Sequence, residues 1–298
     1  MLVIRLGALG DFVLSFAPYA AIRARHPTAH VTLLTTRPLA SLARQSPWFD
    51  EVLVDTRPAI WELLGLLRLA GRLRGHDLVY DLQTSARSAW YFRLAGRPAW
   101  SGIAAGCSLP HTNPRRDFIH TLERQREQLE DAGIQAFPPP DLAWLASHPA
   151  PALPAHAVLL VPGAAPHRPA KRWPAARFGE LANILVAAGR APVVIGAAAE
   201  APLAAAILAI CPQALDLTGQ TDIPAIGALA ARAVAAVGND TGPMHLAAAM
   251  GCRSVVLFSA ESDPALTAPR GPGGTWPSIL RENDLADLTV ARVVAALA

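Results

Sequence analysis

Apolar and polar positions alternate in blocks along the first half of the chain. Short apolar runs predict buried strands at Leu2–Leu6, His30–Thr35, Glu51–Val54 and Asp77–Leu82. Apolar residues recur at helical spacing in the longer segments Asp11 to about Arg25, Trp61–Arg74, Thr84–Ala95 and Phe118–Ala132. Strands separated by helices of this length are typical of a parallel sheet that helices cover on both faces.

The same alternation begins again after a proline-rich segment. Residues 137–155 read FPPPDLAWLASHPAPALPA and show little periodicity, and proline removes backbone donors and favours extended chain. Beyond this segment, the pattern predicts strands at Ala157–Val161, Pro192–Gly196, Ala233–Gly238 and Ser254–Phe258. It predicts helices at Pro174–Ala188, Glu200–Ile210, Ile223–Ala231, Pro243–Met250 and Asp287–Ala298. We therefore predict two α/β domains, 1–150 and 151–298, with ligands beyond the carboxyl ends of the strands.

Composition and charge narrow the class of protein. The 298 residues are 52% hydrophobic and 16% charged, which excludes a disordered chain. No uncharged apolar run reaches the roughly 18–20 residues of a membrane-spanning helix, and the amino terminus lacks the order of a signal peptide. We therefore expect a cytoplasmic protein. The net charge of +3 comes without a long basic stripe, so no nucleic-acid partner is expected.

Two residue types are used unusually. The three cysteines, Cys107, Cys211 and Cys252, are far apart, which favours buried thiols over a disulfide framework or a zinc site. The only lysine is Lys171, and every other residue among the 26 lysines and arginines is arginine. We interpret the retained lysine as a position that uses an ammonium group, with chance as the alternative.

The first motif, RLGALGD, spans Arg5–Asp11 between a predicted strand and a predicted helix. Gly7 and Gly10 allow a ligand to approach the backbone closely, although their spacing is not that of the dinucleotide-binding fingerprint. Asp11 is predicted at the start of the helix. It is either a catalytic carboxylate or an N-cap, which stabilises a helix by about 1 kcal/mol.

The second motif, VPGAAPHRPAKRWP, spans Val161–Pro174. A strand leads into a glycine-containing loop with several basic residues, among them Lys171, and then into a helix. Cations beside a helix amino terminus form an anion site, because the helix dipole and the amides already favour negative charge. A solvated basic loop is the alternative.

The third motif, GNDTGPMHLAAAMG, spans Gly238–Gly251 and again joins a strand to a helix. Gly242 lets backbone amides meet a ligand, and the Thr241 hydroxyl can donate to phosphate oxygens. Asp240 can accept from a hydroxyl or cap the helix, and His245 is predicted in the first turn. A well-capped helix with a packed histidine is the alternative.

Three further features are open to two interpretations each. Glu200 follows IGAAA, where an acid can accept both ribose hydroxyls or serve as a first-turn charge. The basic segment His111–Arg126 either faces an anionic substrate or is a solvated face. The leucines and arginines of Trp61–Arg74 indicate core packing or contact with a membrane surface. No D-x-D, H-E-x-x-H, G-x-S-x-G or P-loop motif occurs, which argues against the metal-dependent, hydrolase and NTPase classes that use them.

Together, these motifs resemble glycosyltransferase family 9, the ADP-heptose:lipopolysaccharide heptosyltransferases. The matching segments are VIRLGALGD, AKRWP, the acid after IGAAA, DLTGQT and GNDTGPMHLAAAMG. The resemblance implies an α/β fold of GT-B type, in which two Rossmann-like, doubly wound parallel-sheet domains face across a cleft. It implies that residues 1–150 bind the acceptor and that residues 151–298 bind the nucleotide sugar. The sequence departs from the family at Phe258-Ser259-Ala260, where Phe-Gly-Pro is common.

The resemblance also implies an activity, which is inverting transfer of a heptose from ADP-heptose to the lipopolysaccharide inner core, with neither metal nor other cofactor. It assigns catalysis to Asp11 and the acceptor-side glycine loop to Gly7 and Gly10. It assigns donor binding to Lys171, Glu200, Asp240, Thr241, Gly242 and His245. A lipid-linked, anionic acceptor implies transient contact with the cytoplasmic face of the inner membrane. A GT-B transferase for another nucleotide sugar and a non-catalytic nucleotide-sugar-binding protein are the alternatives.

Overall fold

The chain forms two compact units in a computed structural model that describes residues 1–59 and 61–297. The first unit is Met1–Asp141 and the second is Leu142–Ala298, so the division lies within the proline-rich segment. Each unit contains a six-stranded sheet in which neighbouring strands are parallel.

The sheet of the first unit has the strand order β3-β2-β1-β4-β5-β6. Its strands are β1 (Leu2–Ile4), β2 (Thr32–Thr35), β3 (Glu51–Val54), β4 (Leu78–Asp81), β5 (Ala99–Gly102) and β6 (Leu109–Pro110). Its helices are α1 (Leu9–Leu14), α2 (Phe16–Arg25), α3 (Arg37–Gln45), α4 (Leu63–Leu73), α5 (Ala86–Leu94) and α6 (Thr121–Asp131).

The second sheet has the order β12-β11-β10-β7-β8-β9, which repeats the arrangement of the first. Its strands are β7 (Ala157–Val161), β8 (Ala191–Val194), β9 (Leu215–Asp216), β10 (Ala235–Asn239), β11 (Ser254–Phe258) and β12 (Ser278–Arg281). Its helices are α7 (Ala143–Ala146), α8 (Ala175–Ala187), α9 (Ala201–Ile210), α10 (Ile223–Arg232), α11 (Gly242–Ala249), α12 (Pro264–Thr267) and α13 (Val290–Leu297).

The strand order creates a switch point in each unit. The chain winds outward in one direction from β1 and in the other from β4, and likewise from β7 and from β10. Loops that leave two neighbouring strands to opposite sides open a crevice at their carboxyl ends, where doubly wound folds bind ligands. The predicted α/β class is confirmed, and the first and third motifs follow strands that border the switch points.

Each unit has its own apolar core. In the first, Leu2, Ile4 and Tyr91 are among the residues that pack around Trp100. In the second, Leu160 and Val237 belong to a cluster with Phe178 and Trp173. The central strands are buried on both faces, which explains why they appear in the sequence as continuous apolar runs.

Several predicted elements differ from the structure. The single helix predicted from Asp11 is two helices that meet at Ser15, whose hydroxyl donates to Asp11 O at 2.8 Å. Pro18 has no N–H to continue the helical hydrogen bonds across this junction. The predicted closing helix begins at Val290 rather than Asp287, and Ala298 lies outside the described residues. No helix in residues 1–59 or 61–297 combines the length and apolar character needed to cross a membrane.

Candidate functional site

The glycine turn after β1 places Asp11 at the carboxyl edge of the first sheet. The N-cap of α1 is Ala8, so Asp11 is the third helical residue and is not the cap. Its side chain is 38% exposed and can therefore reach a ligand. A Cβ atom at position 7 would lie 3.1 Å from Asp11 Oδ2, so Gly7 makes room for the carboxylate. Of the two interpretations of Asp11, the capping one is wrong.

A buried arginine orients this carboxylate. Arg5 Nη2 lies 3.3 Å from Asp11 Oδ1 and donates to Asp11 O at 3.2 Å. The same guanidinium donates through Nη1 to the carbonyl oxygen of Leu82, just beyond β4. Arg5 therefore joins the two loops of the switch point and fixes the helix that carries Asp11. No role was predicted for Arg5, although a charged residue within the apolar run LVIRL was the available signal.

The last residue of β4, Asp81, is a buried acid. Asp81 Oδ1 accepts from the backbone N–H groups of Gln83 at 3.1 Å and Thr84 at 3.0 Å. Burial raises the pKa of Asp81 to about 6, against the lowering effect of these hydrogen bonds. The loop after β4 also contacts the loop after β1, because Leu6 N donates to Gln83 Oε1 at 2.7 Å.

Part of the basic segment His111–Arg126 lies at the same edge. Arg116 Nη2 donates to Thr84 Oγ1 at 2.9 Å, and His111 is buried. Burial, followed by the charges of Arg116 and Arg5, lowers the pKa of Arg124. The guanidinium groups of Arg116 and Arg124 therefore lie at this edge, where both are close to the Asp117 carboxylate, at 3.1 Å and 3.6 Å.

In the second unit, the second and third motifs meet. The ammonium group of Lys171 is buried and donates to Asp240 Oδ2, which also accepts from Ser262 Oγ at 2.7 Å. His245 Nε2 lies 3.8 Å from Asp240 Oδ1. Burial alone would raise the pKa of Asp240, but interactions with His245, Lys171 and Ser262 lower it to about 2. The predicted cap at Asp240 is wrong, because its carboxylate is the centre of this charged cluster.

The helix cap is Thr241, and its side chain makes no capping hydrogen bond. The helix proper begins at Gly242, and the buried His245 is its fourth residue. Amides in a first helical turn have no partner within the helix, and with the helix dipole they favour an anion. An anion at this end of α11 would lie beside the Lys171–Asp240 cluster.

Asn239 connects the two motifs. Its side-chain oxygen accepts from Trp173 N at 2.9 Å, and its amide nitrogen donates to Pro162 O at 2.8 Å and to Gly163 O at 3.3 Å. Its side chain is fully buried. Asn239 therefore fixes the loop after β7 to the end of β10. Asn239 is part of the third motif, but no role was predicted for it from the sequence.

Glu200 lies against the same loop. Its Oε2 accepts from Ala197 N at 2.7 Å. A Cβ atom at position 163 would overlap its Oε1, at 1.6 Å, so Gly163 leaves the space that the carboxylate occupies. The acid therefore lies beside the backbone of the loop at the carboxyl end of β7.

One basic residue of the second motif is already paired. Arg168 Nε lies 3.2 Å from Glu261 Oε2, just after the Phe258-Ser259-Ala260 segment. Lys171 is therefore the buried cation of this motif. Among residues 1–59 and 61–297, no three histidines, cysteines or acids are placed to hold a metal ion together.

Comparison with known proteins identifies relatives of the whole chain. A family model described as glycosyltransferase family 9 (heptosyltransferase) matches residues 66–281. Lipooligosaccharide heptosyltransferase 2 of Haemophilus ducreyi is 26% identical over 300 residues, covering 90% of this chain and 85% of that protein. Lipopolysaccharide heptosyltransferase 2 of Escherichia coli is 28% identical over 298 residues, with the same coverage.

A solved structure gives the same result. The Escherichia coli ADP-heptose lipopolysaccharide heptosyltransferase II superposes with a TM-score of 0.79 and 25% identity. The match covers 99% of this chain and 96% of that one.

Proposed function

The chain belongs to glycosyltransferase family 9, and from this we propose that it transfers a heptose from ADP-heptose to a hydroxyl of the lipopolysaccharide inner core. Its architecture of two doubly wound parallel sheets is that of the GT-B glycosyltransferases. The family, the fold and the named relatives agree on this class of reaction.

The observation that carries the proposal is the environment of Asp11. Its carboxylate is not used as a helix cap, is partly exposed and is oriented by Arg5. We propose that Asp11 accepts the proton of the acceptor hydroxyl. The hydroxyl oxygen then bonds to the anomeric carbon as the bond from that carbon to the diphosphate breaks, with inversion. ADP leaves with the electron pair. A positioned base of this kind contributes about 10²–10⁴-fold in rate.

The second unit suits the donor. The buried Lys171 and the amino end of α11 would bind the diphosphate and stabilise the charge that develops on departing ADP. Thr241 and Gly242 would contact its oxygens, and Glu200 would accept from the ribose hydroxyls. In this proposal the ammonium group and the amides do what a metal does in other transferases, so transfer should continue in EDTA.

The first unit suits the acceptor. Gly7 leaves space beside the Asp11 carboxylate, while Gly10 is buried within α1. We propose that the guanidinium groups of Arg116 and Arg124 favour an anionic substrate. Because this acceptor is lipid-linked, we propose that the protein works as a peripheral protein at the cytoplasmic face of the inner membrane.

The test is ADP release from purified full-length protein supplied with ADP-heptose, with and without a Kdo-containing core acceptor. We expect acceptor-dependent release that Asp11→Asn reduces by about 10²-fold or more, with ADP affinity unchanged. Asp77→Asn, at an exposed acid of the same unit, is the matched control and should behave as wild type.

Four results would contradict parts of this proposal. Normal transfer by Asp11→Asn would exclude Asp11 as the base. Loss of transfer in EDTA would exclude the metal-free mechanism. Release only with a different nucleotide sugar would move the donor assignment, and binding without any release would favour a non-catalytic binding protein.

A further inference from the structure

Four large apolar side chains at the start of α4 are exposed. The exposed fractions are 83% for Trp61, 70% for Leu63 and Leu64, and 68% for Leu67. We call these four residues the α4 apolar face. Trp61, Leu63 and Leu64 line a groove whose other wall includes Val54 and Thr56. Scattered exposed leucines are common, but a contiguous apolar patch of this kind marks a binding surface.

The α4 apolar face is additional to the contacts that hold the helix in the fold. Leu69 and Leu73 on the opposite side of α4 are buried in the core of the first unit. A helix that packs on a sheet needs one stripe of buried apolar residues, and Leu69 and Leu73 belong to it. Leu63 and Leu67 are one turn apart, as are Leu64 and Arg68, so the exposed residues form a second stripe that points away from the core.

Positive charge accompanies this second stripe. Arg68 and Arg72 continue the row that begins at Leu64, and both are exposed. Glu62 is the one acidic side chain that lines the groove. Leucine and tryptophan next to arginine are what a helix in the plane of a bilayer interface presents, because the apolar side chains enter the acyl boundary while guanidinium groups meet anionic headgroups.

The α4 apolar face is also close, in sequence and in structure, to the carboxyl edge of the first sheet, where Asp11 lies. The chain leaves β3 at the carboxyl edge of the sheet, and Arg57 Nη2 donates to Leu6 O at 3.0 Å beside the glycine turn. The α4 apolar face begins four residues after this anchor. A surface bound by this face would therefore lie on the side of the first unit from which a substrate reaches Asp11.

We propose that the α4 apolar face, with Arg68 and Arg72, docks the protein on an anionic phospholipid surface. The choice of a lipid bilayer as the partner rests on the proposed function, because a lipid-linked acceptor would be held in that surface. A second copy of the chain fits less well. A two-fold interface pairs the same patch with itself and would bring the arginines of the two copies together.

The test is flotation of full-length protein with vesicles of phosphatidylcholine alone or with about one-third phosphatidylglycerol. We expect binding to the anionic vesicles, weakened when salt rises from about 0.1 to about 0.5 M. Leu64→Ser/Leu67→Ser should lower the bound fraction by about tenfold, because both side chains lose their apolar burial. Arg68→Glu should also lower the bound fraction, and the binding that remains should depend less on salt.

Two matched controls separate the face from general surface changes. Ile184→Ser removes an exposed apolar side chain of the second unit, and Arg190→Glu reverses an exposed charge there. Both should bind vesicles as wild type does. Every variant is also assayed for ADP release with a deacylated acceptor, which needs no membrane.

The outcomes distinguish this proposal from the proposed function. Lost flotation with intact transfer to the deacylated acceptor supports the docking surface. Flotation of Leu64→Ser/Leu67→Ser equal to wild type overturns it, as does absent binding of wild type to anionic vesicles. A wild-type dimer that Leu64→Ser/Leu67→Ser converts to a monomer would assign the face to a second copy. Absence of transfer by every protein, wild type included, contradicts the proposed function alone.

Discussion

Two aspartates lie between a central strand and the helix that follows it, each soon after a glycine, but their surroundings give them different chemistry. Asp240 is buried and accepts from the Lys171 ammonium group and from Ser262. Asp11 is partly exposed and has Arg5 on one side only. A carboxylate saturated with donors is a weak base, because the donors stabilise its charged form. Asp240 therefore stays charged beside the Lys171 ammonium group, and in the proposed mechanism the partly exposed carboxylate of Asp11 accepts the proton.

The Lys171–Asp240 pair should be strongly coupled. Lys171→Met leaves the Asp240 charge buried without its ammonium partner, and we expect unfolding free energy to fall by about 3–5 kcal/mol. Lys171→Met/Asp240→Asn should recover part of this loss, because no unpaired charge remains. Urea denaturation of both variants measures the difference, and calorimetry with ADP should show weaker binding by each.

An exposed pair provides the control for this prediction. Arg177 Nη1 lies 3.3 Å from Glu180 Oε2 on the surface of α8, and Arg177→Met should cost no more than about 1 kcal/mol. A similarly small cost for Lys171→Met, or no recovery in the double variant, would contradict the coupling.

At the scale of elements, short turns at the ends of central strands determine the site. The turn after β4 is an example, since Asp81, the last residue of β4, accepts from the amides of Gln83 and Thr84. Thr84 takes a φ of 44°, a left-handed conformation unusual for a threonine. This turn presents Gln83 to the β1 loop and Thr84 to Arg116.

Burial of Asp81 in this turn gives a testable pH dependence. Its pKa is raised to about 6 in the folded chain, so folded protein holds this proton more tightly than unfolded protein does. The stabilisation is complete below about pH 4 and is lost as pH rises through about 6. Relative to Asp81→Asn, wild type should lose up to about 3 kcal/mol of unfolding free energy across this range.

Denaturation of both proteins over the same pH series measures this difference. Asp131→Asn, at an exposed acid of α6, should follow wild type. Parallel pH profiles for wild type and Asp81→Asn would show that the Asp81 carboxyl group does not titrate in this way.

At the scale of the whole molecule, the chain builds one architecture twice. The two sheets have the same strand order, and each unit has a separate core. A ligand that contacts only one unit should therefore slow hydrogen exchange in that unit. The proposed assignment of the nucleotide to the second unit can therefore be tested without an acceptor.

ADP should protect the second unit from hydrogen exchange. At ADP about a hundredfold above its Kd, we expect about 2.7 kcal/mol of stabilisation. Slower exchange is expected in residues 163–172 and 239–246, which contain Lys171 and the amino end of α11. Peptides of α3, in the first unit, serve as the internal control and should be unchanged. Protection confined to residues 1–141 would reverse the assignment of the two units.

Prediction from the sequence succeeded where the signal was local. Long apolar runs and helical spacing located the central strands and most helices of each unit. The two-residue strands β6 and β9 were not predicted, because such short strands exist only through pairing with β5 and β8. The helix α3, the strand β5 and the edge strand β12 were missed as well. The junction at Ser15 was overlooked because helical spacing continues across it.

The sequence by itself determined the α/β alternation, its restart after the prolines and the motifs that carry Asp11, Lys171 and Asp240. These follow from local backbone preferences and from apolar spacing, which act over a few residues. Only the tertiary structure decided which carboxylate is buried with a cation and which stays exposed. Lys171 and Asp240 are 69 positions apart, and Arg5 and Leu82 are 77 apart. The burial and pairing that decide the state of an acid come from such distant residues, and they exist only once the parallel strands align.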